Sequence, residues 1–327
     1  MINETTYLQL VRHASRAPSS HNTQPWKFRN LEDGIHLLPD LSRSLPVVDP
    51  DNHALFISLG CALENLLIAA RQLGHSVQVD LQGEQESCDI RVKLDTTASP
   101  ETDPLFNQIR TRQVTKGAYD ETPIEKHTLQ KLGGIGREEG VDLRMIGKGS
   151  LADRLFTLVI EGSNLQFGNR AFLNELVSWI RFSRGEAMKK GDGIWNATMG
   201  LPGTGRTIGS FIMKHLVTPA SEAKRWKKLF RHSGGYVIFT VKEHDTASWI
   251  RLGQTFQRFG LEATRNGIRH AHMNMPLEEP TVRKKVAETV GLTGEIPLLL
   301  LRLGYAEHAP YSFRRHLYSI IDDKQNK

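Results

Sequence analysis

The stretch Ala17-Pro18-Ser19-Ser20-His21-Asn22-Thr23-Gln24-Pro25-Trp26 is the most specific part of this chain. Two hydroxyls and an amide crowd into one turn, and prolines at 18 and 25 stiffen the backbone on either side. Such a turn offers several donors and acceptors to something polar and planar. The same residues, taken alone, also fit a Ser/Asn turn bonded only to itself.

Working outward, the spacing of Tyr7, Leu10, Val11 and Ala14 predicts a helix over residues 3–16, stopped by Pro18. Trp26-Lys27-Phe28 and residues 34–38 read as a hairpin. A long helix is expected over 53–73, ending at Gly74, followed by strands over 77–81 and 90–94. The Pro/Thr/Ser-rich residues 96–104 read as a linker, dividing the chain into 1–99 and 100–327. Helices are then expected over 105–112, 124–139, 151–167 and 170–182, with a strand at 141–146. Periodicity fades from Ser183 to Pro219, which holds seven glycines and reads as a loose lid. A strand over 236–241, helices over 247–266 and 281–289 and an apolar strand over 298–303 complete an α+β pattern.

Composition bounds the class. With 327 residues, 39% hydrophobic and 24% charged, the chain is long enough for a sizeable core, and disorder or coiled coil describes it poorly. Cys61 and Cys88 cannot build a disulfide framework, and no Cys-x-x-Cys pair is present, so a reducing cytoplasm is the expected setting. The first thirteen residues carry no apolar run of signal length. The apolar stretch 54–70 is interrupted by Glu64 and Asn65 and reads as a buried helix. Lys and Arg exceed Asp and Glu by six, a modest surplus whose placement must decide its use.

One internal likeness stands out. Leu59-Gly60 and Leu252-Gly253 each open a helical stretch with a further Gly 14 residues after the first, Gly74 and Gly267. Leu63 and Leu66 match Phe256 and Phe259. Two buried helices sharing a Gly stop by chance would look the same.

The 17–26 turn resembles the signature of the FMN-dependent nitroreductase family, and its Ser-x-His-Asn-Thr-Gln-Pro-Trp form is similar to the divergent Acg-like branch. Two further elements resemble the same family. Residues 112–119, Arg-Gln-Val-Thr-Lys-Gly-Ala-Tyr, carry Arg112 and Lys116 where the family has basic flavin ligands, with Val114 in place of a usual hydroxyl. The strand at 298–303, then Gly304-Tyr305, Pro310 and Arg314-Arg315-His316-Leu317, matches the C-terminal element, implying Arg314 and Arg315 as phosphate ligands. By the same likeness Ser19, Ser20, Asn22 and Gln24 face the flavin, while Ala271 and His272, after the second core helix, lie near its N5.

The order of these elements departs from the family, whose basic segment normally precedes the turn. That order implies a nitroreductase-like fold, an antiparallel-rich sheet flanked by helices, duplicated within one chain as a pseudo-dimer. The implied activity is NAD(P)H-dependent reduction of a nitroaromatic, quinone or similar planar acceptor by ping-pong hydride transfer, with FMN as cofactor. No residue is assigned a catalytic role, because the flavin does the redox chemistry. The alternative is a lidded protein that stores, sequesters or senses FMN with little turnover. A homodimer is compatible with either; neither a nucleic acid nor a membrane is an expected partner.

Other signals are discounted. His270-x-His272 lacks a third metal ligand at suitable spacing, so no metal is expected. Gly203-x-Gly205 with Gly209 has the wrong final spacing for a dinucleotide loop, and residues 142–149 fail the P-loop pattern. The basic run 224–231 reads as a solvated helix face or an oligomer contact rather than a nucleic-acid or lipid site.

Overall fold

Alternating buried and exposed residues along 89–95 are what a strand with one solvated face produces, and they mark a sheet early in the chain. In the computed structural model, which describes residues 2–95 and 101–322, the chain forms two units. Of the described residues, the first takes 2–95, 101–112, 245–262 and 314–322, and the second 113–244 and 263–313. The boundary expected at 99/100 lies outside the described residues. Neither unit is one continuous stretch of the chain.

In chain order the first elements are α1 (Glu4–Ala14), β1 (Trp26–Asn30), β2 (Gly34–Pro39), α2 (His53–Gln72), β3 (Ser76–Gln82), β4 (Asp89–Asp95) and α3 (Gln108–Thr111). There follow α4 (Lys126–Gly133), β5 (Val141–Ile146), α5 (Ser150–Gly168), α6 (Arg170–Trp179), β6 (Ile180–Arg181), α7 (Arg184–Lys190) and β7 (Ile194–Trp195). The remainder are α8 (Arg206–His215), α9 (Pro219–Arg231), β8 (Gly235–Val241), α10 (Thr246–Arg265), β9 (Arg269–His272), α11 (Met275–Glu278), α12 (Pro280–Thr289) and β10 (Ile296–Gly304).

The first unit holds an antiparallel sheet in the order β1-β2-β4-β3. Its inward residues Phe28, Ile35, Leu37, Ile90 and Val92 are buried. The free edge of β1 is paired by the C-terminal segment: Phe28 N–H donates to Ile320 O (2.8 Å) and Asp322 N–H to Phe28 O (2.7 Å). Covering that edge removes a template for pairing with other chains.

The long apolar helix α2 is buried along nearly its whole length, and against it lies the part of α10 that belongs to this unit. The two backbones touch at glycines. A Cβ on Gly60 would lie 2.0 Å from Ile250 O, and one on Gly253 would lie 2.1 Å from Ile57 O. Only glycine permits such an approach. The Leu-Gly pairs likened in the sequence are therefore both required by one crossing, whatever their origin. Beyond it the interface turns polar, with Arg258 Nη2 2.8 Å from the buried carboxylate of Glu64 and Gln257 Nε2 donating to Asn65 Oδ1 at 2.7 Å.

At the other end of α2, Asp49 accepts from the backbone N–H groups of Ala54 and Leu55 and lies 3.0 Å from His53 Nδ1. Burial pulls the His53 pKa down, but hydrogen bonds and charges from Asp49 and Asp51 outweigh it and hold the pKa at about 9. The carboxylates thus face an imidazolium and the positive end of the helix.

The second unit holds a separate antiparallel sheet in the order β5-β8-β10-β9. All of β8 is buried. Leu155 and Val159 from α5, Trp226 and Leu229 from α9, Leu277 from α11 and Val282 from α12 pack with Ile238 and Leu300 of the sheet. Two expectations need correction here. The helix expected over 124–139 is only Lys126–Gly133, because Gly133-Gly134 ends it. Residues 183–219 are not a loose loop: they contain α7, β7 and α8, and β6 pairs with β7 in parallel. Buried Arg181 binds Asp192 (2.6 Å), and Glu186 accepts from Arg206 and from the Phe182 N–H. Ion pairs and the packing of Met213 on Val177, Ile180 and Phe182 together order this segment.

Two outcomes are expected. Gly60→Ala or Gly253→Ala should destabilise the protein by about 1–3 kcal/mol or more, read as a lower urea midpoint at unchanged slope. Because the His53 pKa is raised on folding, its stabilisation is full below about pH 6.5 and lost as pH rises through about 9. The gap between the wild type and His53→Gln should therefore shrink by of order 3 kcal/mol across that window in urea titrations.

Candidate functional site

The Ser19–Pro25 turn is bonded as a unit. The Gln24 N–H donates to Ser19 Oγ (2.9 Å), the Thr23 N–H to Ser20 O (2.9 Å), and Gln24 Nε2 to Asn22 O (3.3 Å). Three of its residues take left-handed backbone angles without being glycine: His21 (φ 47), Asn22 (φ 55) and Gln24 (φ 54). Such angles cost of order 1 kcal/mol each and persist only where the surroundings enforce them. Their concentration within four residues marks this turn as a functional candidate.

Arginines from distant parts of the same unit enforce it. Arg314 donates through Nη1 to Asn22 Oδ1 (2.9 Å) and through Nη2 to Arg16 O (3.3 Å) and Ala17 O (3.4 Å). Arg112, 5% exposed, donates to the same Arg16 carbonyl at 3.2 Å. Burial, then the positive charges of Arg112 and Arg16, push the Arg314 pKa down to about 9. A guanidinium remains charged at neutral pH, so this crowding is a standing repulsion that an anion would relieve.

Arg315 is differently engaged. Its backbone N–H donates to Gln24 Oε1 (2.9 Å), and its Nη1 donates to Gln24 O (2.9 Å) and Asp40 Oδ2 (3.3 Å). It buttresses the strained turn. Of the residues singled out from the sequence, Ser19, Ser20, Asn22, Gln24, Arg112, Arg314 and Arg315 fall in this unit. The resemblance did not point to Arg16; its place next to Ala17-Pro18 was the available signal.

Lys116, Ala271 and His272 belong to the second unit. Ala271 and His272 lie on β9 opposite Arg302 and Leu301 of β10. The segment before Lys116 is tied to β9: Val114 bridges His270, and the Thr115 N–H donates to His270 O (3.0 Å). Backbone pairing therefore occupies the place where Val114 offers no hydroxyl. Burial and the nearby charge of Arg225 lower the Lys116 pKa to about 8.

Arg302 was not foreseen. It is 1% exposed in an otherwise apolar strand, and its Nη2 donates to the carbonyls of Thr115, Lys116 and Gly117 at 3.3, 2.9 and 2.7 Å. Its guanidinium lies 4.0 Å from the Tyr119 ring centre. Gly304 leaves room for that ring: a Cβ there would lie 2.5 Å from it. A single Arg inside the run 298–303 was the visible signal. The same loop lines a cavity of about 430 Å³ together with Ala197, Thr198, Gly200 and residues 306–310.

No protein-family model matches the chain. It is 24% identical over 320 residues to a provisionally named NAD(P)H nitroreductase of Mycobacterium tuberculosis, covering 94% of this chain and 89% of that protein. It is 23% identical over 330 residues to another provisionally named NAD(P)H nitroreductase, PigM of Serratia sp., covering 93% of this chain and 90% of that one. A nitroreductase with bound FMN from Bacteroides fragilis aligns at a TM-score of 0.40 with 14% identity, over 66% of this chain and 95% of the other. That structural likeness is too slight to add to the assignment. Its motifs run from the N-terminal turn to Leu317, and along nearly their whole length these relatives, named as NAD(P)H nitroreductases, are what the chain is similar to.

Proposed function

We propose that the chain binds FMN and works as an NAD(P)H-dependent oxidoreductase, delivering hydride to a planar acceptor such as a nitroaromatic or a quinone. The observation that carries this reading is the convergence of Arg112 and Arg314 on the Arg16 carbonyl, beside the strained Ser19–Pro25 turn that Arg314 also holds. A phosphate monoester carries about −1.5 to −2 charges near neutral pH and suits guanidinium forks. It would offset the burial, and after it the neighbouring positive charges, that lower the Arg314 pKa, so the donor set fits the phosphate of FMN.

The flavin, when bound, supplies the hydride chemistry. The chain's own residues bind and orient. Arg112 and Arg314 would hold the phosphate, while Ser19, Ser20 and Asn22 offer polar groups on a turn held rigid by Arg315 and Gln24. In the same reading the two four-stranded sheets are counterparts, each standing for one subunit of a nitroreductase dimer.

Arg112→Ala and Arg314→Ala should each weaken FMN binding about tenfold or more, as expected for lost charge-assisted hydrogen bonds. Fluorescence titration of flavin-stripped protein measures this, and full affinity in both variants would overturn the site. Under anaerobic conditions the flavin absorbance should bleach with NADPH or NADH.

A second reading, a flavin holder with little turnover, has one specific support. Ala197, Thr198 and Gly200 line the cavity beside the 115–120 loop, and Trp195 lies 5.3 Å from Phe313, as a cover would. If that segment occludes the flavin, replacing residues 196–205 by a short glycine linker should raise the NAD(P)H oxidation rate at least severalfold. An unchanged rate leaves the reductase reading alone standing.

A further inference from the structure

Helix α8 buries only one side. Gly209 sits against Phe182, where a Cβ would lie 2.1 Å from the ring, and Met213 packs one turn later on the same cluster. The outer side is apolar as well: Ile208 is 62% exposed, Phe211 57%, Leu216 60% and Ile212 37%. Large apolar groups at positions 208, 211, 212 and 216 follow helical spacing and form a stripe, whereas exposed apolar residues scattered singly would need no explanation.

The charge of the α8–α9 segment is lopsided. Residues 206–231 hold seven Lys and Arg against the single acid Glu222, a surplus of six that equals the formal surplus of the entire chain. Arg206 is paired with Glu186, and Arg225 with Glu222. Lys224, Lys227, Lys228 and Arg231 are exposed on one face of α9, opposite the buried Trp226 and Leu229. Only residues 216–218 separate the two helices.

We propose that α8 and α9 form a docking surface for an anionic phospholipid bilayer. Ile208 and Phe211 would enter the boundary between headgroups and acyl chains, and the α9 stripe would meet lipid phosphates. Charge complementarity selects this occupant. A second copy of the chain, docking by the same patch about a two-fold axis, would set one basic stripe against another. Nucleic acid would satisfy the stripe but leave the apolar face in water. This surface revises the solvated-face reading of the 224–231 run. It also stands independently of the flavin site.

Flotation of the purified full chain with vesicles tests it. Binding is expected to phosphatidylcholine vesicles containing phosphatidylglycerol, not to phosphatidylcholine alone, and to weaken at high salt. Ile208→Ser/Phe211→Ser and, separately, Lys224→Glu/Lys227→Glu/Lys228→Glu should each reduce it about tenfold or more while leaving the thermal midpoint and any flavin content unchanged. Failure to bind anionic vesicles at low salt would overturn the proposal, as would binding that survives the Ile208/Phe211 change. Equally tight binding to duplex DNA would reassign the surface to nucleic acid. A wild-type dimer converted to monomer by the same apolar change would reassign it to a second copy.

Discussion

The contact on which the first unit depends is the meeting of two bare backbones at Gly60 and Gly253. Where helices approach this closely, neither can slide or rotate without driving a carbonyl into the other, so the crossing fixes their register. The polar pairs one turn further on, Glu64 with Arg258 and Asn65 with Gln257, are buried because that register holds them together. A buried carboxylate such as Glu64 is tolerable only with such a partner. The helix crossing therefore also decides where charge can be placed inside the unit.

A second constraint operates at the turn. Left-handed angles at His21, Asn22 and Gln24 would relax in isolation. They are held from outside the turn by Arg314 on the Asn22 amide and Arg315 on both ends of Gln24. The neighbouring arginines divide the work: Arg315 pairs with Asp40 and braces the turn, whereas Arg314 is buried beside the positive charges of Arg112 and Arg16. Adjacent residues of one motif thus have different electrostatic roles.

Much of this was legible in the sequence. Helical spacing located α1, α2, α5 and α10, the hairpin lies where Trp26 and Gly34 place it, and the turn attracted attention through its residues alone. The motif also picked out Arg112 and Arg314, more than two hundred residues apart, which the fold brings onto one carbonyl. What escaped was whatever depends on a partner distant in sequence. Arg302 in an apolar strand reads as an exception until the carbonyls of residues 115–117 appear around it. Part of the order in residues 183–219 comes from ion pairs such as Arg181 with Asp192, which leave no periodic trace, beside the packing of Met213 on the Phe182 cluster. The interleaving of the units has no local signature either, since no composition shift marks residues 245–262 as returning to the first unit.

That interleaving sets the order of events during synthesis. The strained turn emerges from the ribosome first and Arg112 about a hundred residues later, but Gly253 and then Arg314 are needed to lock the core helix and complete the arginine cluster. At about 5–20 residues per second, the nascent chain spends many seconds with α2, its most apolar helix, lacking its glycine-matched partner. The first unit therefore completes its helix crossing only after Gly253, and its arginine cluster only after Arg314, has been translated. Any ligand that needs both Arg112 and Arg314 is acquired only after the residues of the second unit, 113–244 and 263–313, have been translated, so it cannot act as a template for the early folding of the first.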